Sequence, residues 1–198
     1  MTQREAAPLL AGFQTRAKLL GGLCALLWAV ELVDLLIFHG ALDQYGIQPR
    51  SLTGLRGILF APFLHSGLSH LMANTLPFLA LGFLSSSRRL ADFFVVSASA
   101  ALVGGLGTWL IGGSGTVHIG ASGVIFGYLG FLMGRGIWER RLGAVALSLG
   151  VGLVFGGMIW GLLPFLYPGV SWEGHLFGFI GGLLPARTLG RALRDRRG

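Results

Sequence analysis

The chain has 198 residues, of which 53% are hydrophobic and only 12% charged, with a mean hydropathy of +0.72 and a net charge of +7. Soluble domains carry about 25% charged residues, so half that share excludes a water-soluble globule and points to the bilayer as solvent. The basic excess does not signal nucleic acid, because the arginines stand at segment ends and in the C-terminal tail. Thirty-four glycines suit close helix packing in lipid. The single cysteine, Cys24, lies inside an apolar run, allows no disulfide within the chain and reads as filler.

Residues 1–17 form a polar arm with Arg4 and Arg16, and Lys18 opens an apolar run over residues 19–38. A bilayer needs about 20 such residues. The run is long and no clear small-residue cleavage site follows, so it reads as a span and not as a signal peptide. Glu31 and Asp34 lie one turn apart in its second half. Ionisable groups there need partners, and their expected role is to tie the helix to the next loop. Residues 39–68 are too interrupted for a span and too apolar for a free linker, which predicts a partly embedded loop. Further apolar segments at 69–84, 90–111, 119–134, 142–163 and 174–190 complete six predicted spans. The expected architecture is an all-α polytopic bundle forming one domain over 1–198, with polar or basic tails at 1–17 and 191–198. Gly123/Gly127, Gly130/Gly134 and Gly178/Gly182, each four apart, mark close helix contacts.

Thirteen of the fifteen lysines and arginines fall in the two tails and in the turns after spans two and four; Arg50 and Arg56 alone fall on the other side. The positive-inside rule then predicts cytoplasmic termini and an outward-facing Gly/Ser/Thr stretch at 112–118. Helical rise from the cytoplasmic arginines gives depths. Ser122, thirteen residues before Arg135, lies roughly 20 Å above the inner boundary. His175 lies at roughly 18 Å, Asn74 at roughly 21 Å and His70 at roughly 27 Å. Four polar side chains from three spans thus share the outer half of a core about 30 Å thick.

Each has a plain reading. Gly120-Ala121-Ser122-Gly123 can serve packing alone, and His70 and Asn74, on one helix face, can satisfy nearby carbonyls. His118, one turn before Ser122, is a second candidate partner for the serine, but its depth places it near the outer surface. No metal is expected, since there is no His-Glu-x-x-His pattern and carboxylates are missing at that depth. The reactive reading joins the parts. A serine hydroxyl needs a base, usually a neutral imidazole, and His175 matches it in depth. Gly178 and Gly182 allow its span to approach the Gly123/Gly127 face. Asn74, His70 and the backbone N–H groups of Ala121 and Ser122 are candidate donors to an oxyanion, and Phe126 is placed to pack on the imidazole. No aspartate lies at that depth, so the expected unit is a dyad.

The order His65-x-x-x-x-His70-x-x-x-Asn74, then Gly120-Ala121-Ser122-Gly123, then Gly174-His175-x-x-Gly178-x-x-x-Gly182 resembles the rhomboid intramembrane serine proteases of the six-span bacterial type. The resemblance runs from about Tyr45 to Leu184. It implies Ser122 as nucleophile, His175 as general base, His70 and Asn74 at the oxyanion hole, and His65 as a structural loop residue. It also implies transmembrane protein substrates entering from lipid, with no cofactor and no nucleic acid. One departure stands out: many members carry Trp-Arg eight to nine residues before the His65 position, where this chain has Arg56-Gly57. Two other readings remain: an inactive relative that binds membrane clients, and a small transporter. The transporter would need polar residues along a whole pathway, and the inner halves of the spans hold almost none. The substrate and the oligomeric state are not encoded in these motifs.

Overall fold

The computed structural model describes residues 3–164 and 166–195. Seven α-helices carry the architecture: α1 (Gln3–Val33), α2 (Gly57–Phe60), α3 (Leu68–Ser85), α4 (Leu90–Ile111), α5 (Ser122–Glu139), α6 (Leu142–Phe155) and α7 (Trp172–Asp195). The chain is an all-α polytopic membrane bundle. Among the described residues, four segments can cross a membrane by length and composition: Leu10–Phe38, Leu68–Ser85, Leu90–Ile111 and Leu142–Leu162. The remaining long helices, α5 and α7, are less apolar because the other helices cover them. Residues 124–132 of α5 are buried without a break. Lipid meets the outer helices, where Leu142 and Leu153 of α6 are each 87% exposed. The usual distribution is inverted, with polar and glycine-rich helices inside and apolar ones outside.

Without a hydrophobic drive between helices in lipid, close packing and hydrogen bonds hold them together. Four of the interfaces carry a hydroxyl for this. Trp28 Nε1–H donates to Thr75 Oγ1 between α1 and α3 (3.1 Å), and Ser97 Oγ pairs with Tyr128 Oη between α4 and α5 (2.7 Å). Ser99 Oγ–H donates to the Gly181 carbonyl between α4 and α7 (2.6 Å), and Ser148 Oγ–H to the Leu132 carbonyl between α6 and α5 (2.7 Å).

Three helices run more than one residue beyond the apolar pattern, and α7 does so at both ends, from Trp172 to Asp195 instead of 174–190. α1 begins at Gln3, well before residue 19, and continues past Val33 as a π-helical turn, Asp34–Phe38, closed by left-handed His39 and Gly40. α5 runs past 134 to Glu139 because Arg135 and Glu139 pair one turn apart (2.6 Å). Arg88 joins them, bonded to Asp92 (2.8 Å) and 3.5 Å from Glu139, and Arg16 Nε–H donates to the Ser86 carbonyl (2.9 Å). This end of the bundle is closed by ion pairs.

At the other end the two α1 carboxylates hold loops, as expected from sequence. Glu31 accepts the Gly67 N–H (2.7 Å) and Asp34 the Leu42 N–H (2.9 Å). The loop of residues 39–67 is a series of short turns lying along α4. Gly57 permits this, because a β-carbon there would collide with the Gly46–Ile47 backbone. Arg56 covers the Tyr45 ring at 4.5 Å. Arg50 donates to the Leu110 carbonyl (3.0 Å) and Ser114 Oγ (2.6 Å), and Trp109 Nε1–H to the Ser51 carbonyl (2.8 Å). These contacts anchor the loop without a Trp-Arg pair.

Asp43 in this loop has a buried Oδ1 with no hydrogen-bond partner among the described residues. Burial, then the charges of Asp34 and Glu31, push its carboxyl up from the usual 3.8 to about 6. The folded chain therefore keeps a proton that the unfolded chain releases near pH 4. The contribution of Asp43 to stability falls as pH rises through the window from about 4 to about 6, and stays low above it. Asp43→Asn should leave the melting temperature nearly unchanged at pH 4 and raise it at pH 7.5. A shift of equal size at both pH values would contradict this.

Candidate active site

Ser122 is the first residue of α5 and His175 lies in the first turn of α7. Two close approaches bring them together. Gly120 has φ +115°, which side chains rarely adopt, and a β-carbon there would come within 2.9 Å of His70 Nε2. Glycine alone lets the chain turn into α5 against that ring. On α7, β-carbons at Gly178 and Gly182 would strike the carbonyl oxygens of Gly123 and Gly127. α5 and α7 therefore meet backbone to backbone, beside Ser122 on α5 and one turn beyond His175 on α7.

His175 Nε2 lies 2.9 Å from Ser122 Oγ, and His175 Nδ1 lies 3.0 Å from the Gly161 carbonyl. A carbonyl only accepts, so Nδ1 carries the proton and Nε2 offers a lone pair to the serine hydroxyl. The ring's second partner is thus a backbone carbonyl and not a carboxylate. Phe126 stacks on the imidazole with centroids 4.1 Å apart and planes 16° from parallel. His175 is buried.

His70 is oriented by the same logic. Its Nδ1 faces the Ser66 N–H (3.4 Å), which can only donate, and Ser66 Oγ (3.2 Å), so the neutral ring carries its proton on Nε2, toward Gly120. Asn74, one turn on, gives one amide hydrogen to the His70 carbonyl (3.1 Å), and its second has no acceptor among the described residues. His65 is fully buried, and its Nε2 accepts the Ala121 N–H (3.3 Å). This corrects one expectation. The Ala121 N–H is committed to His65, because the 39–67 loop sets that ring beneath the turn, and it is not available to an oxyanion. The Ser122 N–H remains, among the first N–H groups of a helix that lack an intrahelical acceptor.

His118 is not a partner of Ser122. Its ring turns to Ser171 and Thr116. The residue that sequence reading missed is Gly161, which acts through its carbonyl oxygen. Its only trace in the sequence is the run Gly156-Gly157 to Gly161 at the end of an apolar segment, and a β-carbon at 161 would press on Phe126 at 3.0 Å and His175 at 3.2 Å. Ser122, His175, His70 and Asn74 line one cavity of about 950 Å³, together with Phe126 and Tyr167. Among the described residues no three His, Cys, Asp or Glu side chains form a set of metal ligands.

A hydroxyl, an oriented imidazole and unspent N–H donors around one cavity are what acyl transfer requires. An uncharacterized protein of Mycobacterium tuberculosis (strain ATCC 25618 / H37Rv) and one of Mycobacterium bovis are each 46% identical to this chain over 180 residues, covering 87% of it and 75% of their own length. An uncharacterized protein of Mycobacterium leprae is 44% identical, over 87% of this chain and 71% of its own. The family model for the rhomboid domain matches residues 53–192. The chain belongs to the rhomboid family.

Proposed function

We propose that the protein is an intramembrane serine endopeptidase that hydrolyses peptide bonds in or beside the transmembrane segments of other proteins. The observation that carries this reading is the 2.9 Å approach of His175 Nε2 to Ser122 Oγ, with Nδ1 already spent on Gly161. Ser122 Oγ attacks the scissile carbonyl carbon as its proton passes to His175 Nε2. The oxyanion is met by the Ser122 N–H, His70 Nε2–H and the free Asn74 amide hydrogen. Collapse breaks the C–N bond, and the departing amine takes the proton from Nε2. Water then attacks the acyl-enzyme, again giving its proton to Nε2, and Ser122 is regenerated. No metal or other cofactor enters these steps.

Six spans, with α5 and α7 crossing inside the ring of more apolar helices, complete the reading. Thirteen basic residues on the side of the termini against two on the other argue for cytoplasmic termini. The cavity then opens outward, where water reaches Ser122 and a substrate span enters from lipid. A fluorophosphonate probe tests the nucleophile. The detergent-solubilised protein should be labelled on Ser122 and should cleave single-span reporter proteins, and Ser122→Ala should do neither. A wild-type protein that is neither labelled nor active, yet retains single-span proteins, would instead be a client-binding relative.

A further inference from the structure

We propose that His118 is a positioning residue that fixes the first turn of α7, and with it the His175 ring, relative to the segment bearing Ser122. The proposal rests on the reading of Ser122 and His175 as the reactive pair. His118 is clamped at its backbone, with N–H to the Ile47 carbonyl and carbonyl to the Ile47 N–H, both 2.9 Å. Its ring makes two short contacts: Nε2 to Thr116 Oγ1 (2.7 Å) and Nδ1 to Ser171 Oγ (2.7 Å).

The directions of these bonds follow from their neighbours. Thr116 Oγ1 lies 2.6 Å from the Gly113 carbonyl, which only accepts, so the threonine proton is spent there. His118 Nε2 must then be the donor to Thr116, which leaves Nδ1 as an acceptor in the neutral ring. Burial lowers the basicity of this imidazole, against the opposing charge of Glu173, and so favours the neutral form. Ser171 Oγ therefore donates to His118 Nδ1 while accepting the Gly174 N–H (3.4 Å). Ser171 immediately precedes α7, and its own carbonyl accepts the His175 N–H (3.1 Å). It is the N-cap of the helix that carries the base. A continuous chain thus runs from the Ile47 bridge through His118 and Ser171 to the backbone of His175. Ser122 follows four residues after His118, across a segment pinned by the Gly120 N–H to the Ala61 carbonyl (2.9 Å). His118 joins the two halves of the pair from outside it.

Two variants separate the two bonds of the ring. In His118→Asn the side-chain oxygen takes the place of Nδ1 and still accepts from Ser171. In His118→Gln the longer amide reaches the place of Nε2, serving Thr116 but not Ser171. His118→Ala and His118→Gln should each lower kcat on a single-span reporter roughly tenfold, the worth of one hydrogen bond, with KM unchanged. His118→Asn should stay within about twofold of wild type. In a Ser122→Ala background, the imidazole ¹⁵N resonances of His175 should move for the alanine and glutamine variants and not for asparagine. Equal behaviour of asparagine and glutamine in the resonances would overturn the proposal. If wild type proves inert toward reporter and fluorophosphonate, the protease reading fails, and the His175 resonances still decide the role of His118.

Discussion

His175→Asn should lower kcat by about 10²–10⁴-fold, the usual contribution of a positioned general base, while leaving the protein folded. Asparagine is chosen for what it keeps. Its amide N–H takes the place of Nδ1–H and can donate to the Gly161 carbonyl, which the native ring reaches at 3.0 Å. What it loses is the Nε2 lone pair that faces Ser122 Oγ, and an amide has no basic site to accept the hydroxyl proton. Alanine at the same position is a poorer test, because it also empties the space under Phe126 and leaves the half-buried Gly161 carbonyl without its donor. The measurement is single-turnover cleavage of a reporter span in liposomes, alongside thermal unfolding of the same preparation. An asparagine variant that retains more than a tenth of the wild-type rate would remove His175 from the role of base.

The contact of Ser122 with His175 was legible in the sequence because depth in a bilayer can be counted along a helix. Ser122 and His175 each precede a basic residue by about the same rise, and only the fold was needed to make them neighbours. The span boundaries were less legible where charge is paired. Arg135 served as a marker of the membrane edge, yet it lies four residues inside α5, bonded to Glu139. Backbone roles left almost no trace. Nothing in residue type told that the Ala121 N–H turns to His65, or that the Gly161 carbonyl holds the His175 imidazole, since both depend on how separate loops cross. The departure at Arg56-Gly57 costs the loop no anchor. In the structure the glycine is needed for loop contact with Gly46, and Arg50 and Trp109 supply the anchoring at other positions.

Gly178→Ala should destabilise the protein by about 3 kcal/mol, the upper range for overpacking, while the same change at Gly150 should stabilise it by about 0.5–1 kcal/mol. One added methyl group has opposite effects because of what it meets. At Gly178 the new carbon would strike the Gly123 carbonyl oxygen and lie 3.1 Å from Gly123 Cα. These are backbone atoms of α5, which cannot rotate away as a side chain does, so the helices must separate or shift along each other. Gly123 adjoins Ser122, and Gly178 lies one turn beyond His175, so the strain falls on the 2.9 Å contact between them. Gly150 faces open space on α6, with no atom within 4 Å, and there alanine only narrows the backbone freedom of the unfolded chain. Unfolding of both variants in detergent, followed by far-UV circular dichroism, reads the difference. Equal stability of Gly178→Ala and wild type would mean that α5 and α7 do not meet backbone to backbone. Gly182→Ala, whose β-carbon meets the Gly127 carbonyl one turn farther from the site, separates packing from chemistry. It should lose comparable stability but a smaller share of the cleavage rate, since the shift it forces lies a turn below Ser122.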